Sequence, residues 1–485
     1  MKLNYKVIAS FLGSLLGFNA LFMLACLVAS YYYQDESWDA LWKSIGITMA
    51  CAIVLFAIGR GHQKNISKKE AYLVVTLGWI LMTLSGCLPY IFNGDIPSFA
   101  SAVFETMSGY TTTGASVLTD IEAVDKGILL WRSTTHWIGG MGIIVLTIAI
   151  LPILGIGGMQ LFNAESPGLK ADKINPRITG TAKRLWALYF LLTLLETVLL
   201  KYSGMGWFDA LNHAFSTMST GGFSTKNASI MHYDYNQAIQ WIIIVFMFVA
   251  GMNFALTYFA FVGNFKKIIH DHEFRFYATV VLVGALVSTA VVWIQETSPG
   301  WNFPFRDSLF QVVAVVTTTG FVSADMTLDP LLSTIFFMLL FAGGMTGSTA
   351  GGIKSVRHLL IFRNSWMEFK RLLHPNAVLP IRLNKAAVRG RVTFNIMAFV
   401  IIYFLIFAFS SLTMSLLGED FMTSIGVAAS CLGNVGPALG SASPVGNYAS
   451  ISEAGKLFLS FIMLVGRLEL FTVLILFTPF YWRKY

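Results

Sequence analysis

The chain has 485 residues, of which 55% are hydrophobic and 12% charged, with 40 phenylalanines and a formal net charge of +8. A soluble domain of that composition would expose more apolar side chain than its polar groups could cover, so an all-α membrane protein is predicted. Four scattered cysteines (Cys26, Cys51, Cys87 and Cys431) exclude a disulfide framework or a cysteine metal set. No span carries a metal-ligand pair or a nucleophile with its base, which argues against an enzyme.

Lys2 and Lys6 precede an apolar run from Val7 to about Ser30, with Leu24-Ala25-Cys26 faintly like a lipoprotein site. The run is too long for a signal peptide and long enough to cross a bilayer, so it reads as a retained first helix. Candidate spans follow near 5–33, 39–60, 71–92, 128–160, 183–203, 238–264, 275–298, 331–360, 391–417 and 455–481. An even number of spans puts both termini on one side. Basic residues fall in alternate loops: Lys64, Lys68 and Lys69; Lys170, Lys173, Arg177, Lys183 and Arg184; Lys266, Lys267 and Arg275; and a run from Lys354 to Arg391. The positive-inside rule makes these loops and both termini cytoplasmic, which accounts for the net charge as topology. His270-Asp271-His272-Glu273 sits in one of the basic loops and reads as solvated.

The opposite loops carry four semi-apolar segments too short to span, each ending in small polar residues and glycine, at 99–114, 208–221, 305–320 and 421–436. Their glycines are separated by 107, 99 and 116 residues, an internal repeat of span, short helix, polar loop and span. The predicted organisation is two N-terminal helices (1–66) and four repeats, 67–165, 166–268, 269–365 and 366–485. Non-helical backbone at membrane depth survives only when buried in protein or lining a water-filled path. Four such loops around one axis could replace the water shell of an alkali cation with carbonyl oxygens, glycine permitting the backbone conformations this needs. The candidate filter strands are Thr112, Thr113 and Gly114; Ser219, Thr220 and Gly221; Thr318, Thr319 and Gly320; and Asn434, Val435 and Gly436. The short helices aim their C-termini at the axis, with Ser98, Asp209, Asp307 and Glu419-Asp420 placed to cap their N-termini. The alternative is that these small residues merely let helices pack closely.

In the span near 331–360, Gly343, Gly344, Thr346, Gly347, Ser348, Thr349, Gly351 and Gly352 lie within ten residues. Five glycines there cannot sustain a continuous helix, so the span is predicted to break, as a gate or as a kink. The stretch GSTAGGIKS (347–355) has the wrong spacing and follows a membrane span, which rejects a phosphate loop. Lys354 marks the cytoplasmic end of the broken helix. Arg467 lies inside the last span, where a charge must face a cavity, backbone carbonyls or a carboxylate such as Glu469 or Glu196.

The motifs TTGAS (112–116), STGGFST (219–225), TTGFVSAD (318–325), NVGPALG (434–440) and FAGGMTGSTAGGIKSVR (341–357) resemble the TrkH/KtrB/HKT superfamily of potassium transporters. The resemblance implies a single-chain pseudo-fourfold pore with K+ at the filter residues, and a homodimer in the inner membrane. It also implies a cytosolic TrkA-like regulatory ring that carries the nucleotide, ATP or NAD, on that partner only. It further implies that Gly343–Gly352 is an intramembrane loop obstructing the pore, that Arg467 takes part in gating, and that glycine in all four strands accompanies potassium preference. An ion-coupled (Na+ or H+) secondary symporter is the competing expectation. The basic run 354–391 would dock the cytosolic partner or attract anionic lipid.

Overall fold

A computed structural model describes residues 3–61, 67–145, 178–295, 304–324, 329–377, 379–384, 386–444 and 446–483. The first helix, Tyr5–Tyr33, opens where the Asn4 side chain accepts from the Lys6 amide at 3.2 Å and closes at left-handed Gln34. Ser37–Ile58 returns beside it. Lys68–Gly86 starts on a capping box, in which the Glu70 amide donates to Ser67 Oγ at 3.4 Å and the Ser67 amide to Glu70 Oε2 at 2.7 Å. It is renewed as Leu88–Asn93 with Pro89 in its first turn.

Among the described residues six helices are long and apolar enough to cross a membrane, and two sharply bent helix pairs raise the number to eight. The chain is thus a multi-pass membrane protein. These eight match eight of the ten predicted spans. The span near 128–160 begins as Lys126–Val145, and its remainder lies outside the described residues, as do Lys64, Lys170, Lys173, Arg177 and Lys385. The span near 331–360 is Pro330–Leu339, then irregular backbone over 340–354, then Ser355–Leu373.

The predicted continuous helices at 238–264 and 455–481 are both broken. Gln237–Ala250 meets Phe254–Phe261 at 115°, and Glu453–Arg467 meets Phe471–Phe477 at 110°. Two of the breaks are knitted together: the Met345 amide donates to the Gly251 carbonyl at 2.8 Å and the Phe254 amide to the Gly347 carbonyl at 3.1 Å. Freed backbone groups at one break are satisfied by those at another, which is what an apolar interior demands.

Four short helices, Phe99–Tyr110, Trp207–Met218, Pro304–Val316 and Phe421–Gly433, hold 12, 12, 13 and 13 residues. None could cross ~30 Å of hydrocarbon. Ser98 and Asp420 cap two of them, the latter accepting from the Met422 and Thr423 amides at 3.0 and 3.2 Å. The expected capping by Asp209 is not what the structure has, since Gly206 holds that helix's N-cap, while Asp307 lies in its helix's first turn beside Arg306. Asp209 Oδ1 accepts from Thr225 Oγ1 at 2.7 Å, and Asp307 Oδ1 lies 2.7 Å from Arg306 Nη2. Each acid lies inside its helix's first turn, where a neighbouring donor competes for it.

The expectation of a solvated His270–Glu273 segment holds at exposed His270 and needs correction beyond it. Asn384, in the turn of a two-residue hairpin (Arg382–Leu383 with Ala386–Ala387), accepts from the His272 amide at 2.9 Å and donates to Asp271 Oδ2 at 2.7 Å. Glu273 is buried and accepts from the Thr346 amide at 2.6 Å. A short-range reading of charge misses these because the partners lie more than seventy residues away.

The first N-terminal helix is keyed to the first repeat through Asn19, which donates to Ser85 Oγ at 2.9 Å and accepts from the Tyr110 hydroxyl. Buried Trp131 donates to the Gly86 carbonyl at 2.9 Å, fixing the first repeat's two spans together. The outside of the bundle is apolar and exposed, with Leu21, Ile53, Phe190, Leu286 and Leu405 among its side chains, as a lipid-facing wall requires. The fold is therefore all-α, two N-terminal helices beside four repeats gathered around one centre.

Candidate cation pathway

The strands that follow the short helices repeat one backbone conformation four times. Thr112, Thr220, Thr318 and Asn434 have φ of 51°, 54°, 57° and 55°, and two residues later Gly114, Gly222, Gly320 and Gly436 have φ of 80°, 81°, 72° and 98°. The residues between them are outside the positive-φ region. Alternating left- and right-handed residues turn successive carbonyls to the same side. The intervening amides are fixed alike: Thr113 to the Ser108 carbonyl at 2.9 Å, Gly221 to Ser216 at 2.8 Å, Thr319 to Ala314 at 2.8 Å and Val435 to Ser430 at 3.0 Å.

This pattern moves the second strand by one residue. Its members are Thr220, Gly221 and Gly222, and Ser219 belongs to the end of the short helix, as Thr111 and Thr317 do. Two adjacent glycines left the register ambiguous in sequence. One clue was present, since Trp207 stands 15 residues before Gly222 as a phenylalanine stands before each of the other three glycines.

The glycines close a ring. A Cβ on Gly114 would overlap the Gly221 carbonyl, one on Gly222 the Thr319 carbonyl, one on Gly320 the Val435 carbonyl, and one on Gly436 the Thr113 carbonyl. Each strand's third residue thus packs on the middle carbonyl of the next strand, in chain order, and the fourth returns to the first. Small-residue packing between separate helix pairs would not produce such a cycle. Outside the ring, the four glycines line one cavity of about 90 Å³ with Arg132, Lys226 and Asn227 on its wall. On the exposed rim the Asn227 amide beside Asp120, 2.9 Å away, holds that carboxyl below its usual range and keeps it anionic.

Buried carbonyls normally have donors. Among the described residues no protein donor reaches the carbonyl oxygens of Thr112, Thr113, Gly114, Thr220, Gly221, Gly222, Thr318, Thr319, Gly320, Asn434 or Val435. Eleven unclaimed acceptors around one ring form a set suited to a bare monovalent cation.

Behind the ring a second repeated device was not singled out in the sequence. Nine residues before the glycines stand Glu105, His213, Gln311 and Val427. Glu105 accepts from Ser116 Oγ at 3.0 Å and the Val117 amide at 2.8 Å, His213 Nε2 lies 3.0 Å from Ser224 Oγ, and Gln311 donates to the Ala324 carbonyl at 2.8 Å. In three quarters, a polar side chain of the short helix grips the chain just beyond the strand. Glu105 is also paired with Arg132 at 2.7 Å, both fully buried or nearly so, and Arg132 donates to the Ser224 carbonyl at 2.9 Å while lying over the Phe223 ring. Arg132→Ala strands the Glu105 carboxylate and is expected to cost about 3–5 kcal/mol. Arg132→Met with Glu105→Gln should recover most of that loss, as read by denaturant unfolding in detergent. His136 explains why the middle residue of the second strand is glycine: a Cβ on Gly221 would overlap the His136 ring, which is stacked on Phe223 at 3.9 Å.

Beneath the ring lies the segment Gly343–Gly352. The Gly351 amide donates to Thr318 Oγ1 at 2.7 Å, and Thr349 Oγ1 reaches the Met218 and Ala250 carbonyls at 3.1 and 3.2 Å. A Cβ on Gly351 would press on the Gly433 carbonyl at 2.6 Å, so the loop sits directly against the end of the fourth short helix. Gly347 and Gly352 carry φ of 78° and 66°; Gly343 is hemmed in by backbone, and Gly344 by the Ala350 side chain and the Gly251 carbonyl. Thr346 is held through its amide by Glu273, and Ser348 Oγ donates to the Met345 carbonyl at 2.6 Å. Lys354, expected at the cytoplasmic end of the broken helix, instead directly precedes the helix Ser355–Leu373, where it is buried and donates to the Ala350 carbonyl.

Arg467 is 2% exposed and donates through Nη1 to the Thr349 carbonyl at 2.7 Å. Its Nε and Nη2 have no partner among the described residues. The sequence alternative of a pair with Glu469 or Glu196 is not found: Glu469 pairs with Arg357 at 2.5 Å, and neither Glu196 oxygen has a hydrogen-bond partner among the described residues. Of the options for a buried arginine, the structure has backbone carbonyl contact.

The chain matches the TrkH cation transport protein family over residues 40–484. A potassium uptake protein TrkH of the Trk system from Halomonas elongata is 38% identical over 492 residues, covering 99% of this chain and 100% of that protein. The TrkH protein of Escherichia coli K12 is 38% identical over 488 residues, with the same coverage. The crystal structure of the potassium transporter TrkH from Vibrio parahaemolyticus superposes with a TM-score of 0.91 at 34% identity, covering 99% of this chain and 100% of that one. With two N-terminal helices, four repeats about one centre and near-complete overlap with these transporters, the chain belongs to the TrkH family of membrane cation transport proteins.

Proposed function

We propose that this chain carries potassium into the cell across the inner membrane through a gated, channel-like pore. The observation that supports it most is the ring of eleven carbonyls, nine of them on buried residues, that no donor reaches among the described residues. A potassium ion drawn to the outer cavity exchanges water for these oxygens, and the C-termini of four short helices favour its charge. Below the ring the Gly343–Gly352 segment closes the path, latched by Arg467, Lys354, Glu273 and Thr318. Opening requires that segment to move away from the strands.

The same reading assigns the chain to a homodimer, both termini cytoplasmic, with a TrkA-like cytosolic ring binding ATP or NAD and docking on the basic run from Lys354 to Arg391. A relative's designation as part of a Trk system supports a partner. Purified protein in liposomes is expected to pass Rb+ as a potassium tracer without a sodium or proton gradient. Flux that requires either gradient in fixed stoichiometry would instead make the chain a symporter.

A further inference from the structure

Resting on the filter reading, we propose that the outermost ring offers potassium three carbonyls, with the fourth withdrawn by Tyr448, so that the ion there retains a water on its fourth side. The Gly436 carbonyl accepts from the Tyr448 hydroxyl at 2.6 Å and from Ser430 Oγ at 2.8 Å. A carbonyl oxygen has two lone pairs, and two donors occupy both. Among the described residues no donor reaches the equivalent carbonyls of Gly114, Gly222 and Gly320.

Serine alone does not produce the difference. Ser108 and Ser216 stand at the register of Ser430 in the first two repeats; Ser108 Oγ has no partner among the described residues, and Ser216 Oγ lies 3.4 Å from His136 Nδ1. The fourth repeat is distinguished by Tyr448, in the segment beyond its strand. Tyr448 is 2% exposed, its amide donates to the Ser116 carbonyl at 2.9 Å, and its ring lies 5.2 Å from that of Phe104. The first repeat thus holds the hydroxyl in place against the fourth strand. The fourth repeat is also where the short-helix grip is missing, since Val427 replaces the polar side chain. Tyr448 and Ser430 hold the strand there by its own carbonyl. The ligand of this outer position is a monovalent cation with part of its water shell, and full dehydration is completed one ring deeper.

The test uses the full chain in liposomes, with Rb+ uptake measured against external Rb+ concentration for Tyr448→Phe, Ser430→Ala and the double variant. Freeing lone pairs on Gly436 should lower the half-saturating Rb+ concentration, roughly two- to threefold for Tyr448→Phe and further for the double variant. Ser430→Ala removes only one small hydroxyl and serves if the tyrosine variant folds poorly. Half-saturation unchanged or raised in Ser430→Ala and in the double variant would overturn the proposal. Gly114→Ser is run beside them: unchanged relative permeability there would defeat the filter reading, whereas a change there with no effect at Tyr448 and Ser430 would defeat only the three-carbonyl site.

Discussion

Replacing Gly114 or Gly222 by serine is expected to raise the permeability of sodium relative to potassium by roughly tenfold, a difference of ~1.4 kcal/mol. Two costs converge at these positions. A side chain at φ near 80° is strained by about 1–2 kcal/mol, and its Cβ falls on the middle carbonyl of the neighbouring strand. The structure relieves both by letting the ring open, and a looser ring discriminates less between ions of different size. Because the cycle is closed, a substitution in one quarter is felt in the next. Gly221→Ala, one residue away, behaves differently: it meets the His136 ring. It should lower stability with little loss of selectivity in the protein that folds, and His136→Ala should restore it. Reversal potentials of the reconstituted variants separate the two cases. Equal effects of Gly221→Ala and Gly222→Ser on selectivity would return the register of the second strand to doubt.

Arg467→Met is expected to raise unstimulated Rb+ flux roughly tenfold or more, measured at equal protein per liposome. The guanidinium donates to the Thr349 carbonyl, and a hydrogen bond from a charged group contributes roughly 1.5–3 kcal/mol. Its other two nitrogens lack partners among the described residues, so the side chain also leaves positive charge beneath a cation path. Methionine removes the latch and the charge while keeping similar bulk. Arg467→Lys keeps the charge and should raise flux less. Flux unchanged or lowered in Arg467→Met would make the contact with Thr349 a structural prop.

Much of the architecture was legible in the chain itself because bilayer thickness imposes a length on every spanning helix. Four segments of 12 or 13 residues between such spans stand out against that length. Three strands were found in register because a threonine or asparagine is followed two residues on by a lone glycine. In the second, two adjacent glycines follow Ser219-Thr220, and the Trp207 spacing, the neighbouring strand and His136 together select Gly222 over Gly221. The breaks at Gly251–Asn253 and Leu468–Leu470 were hidden for a related reason: each bent pair is apolar enough as a whole to read as one span, and at Gly251–Asn253 the backbone bonds that make bending tolerable come from the distant segment around Met345 and Gly347. Glu273, Glu105 and Tyr448 share that character. Each is an unremarkable residue in its own stretch of sequence, and its partner lies on another element.

The central claim is that the backbone oxygens of four strands bind a dehydrated monovalent cation at one centre. Anomalous diffraction from crystals grown in Rb+ tests it most directly. The account predicts density on the line enclosed by Gly114, Gly222, Gly320 and Gly436, within coordination distance of oxygens from all four strands in the inner rings. Rb+ found only elsewhere in the molecule, with that centre empty at saturating concentration, would contradict it.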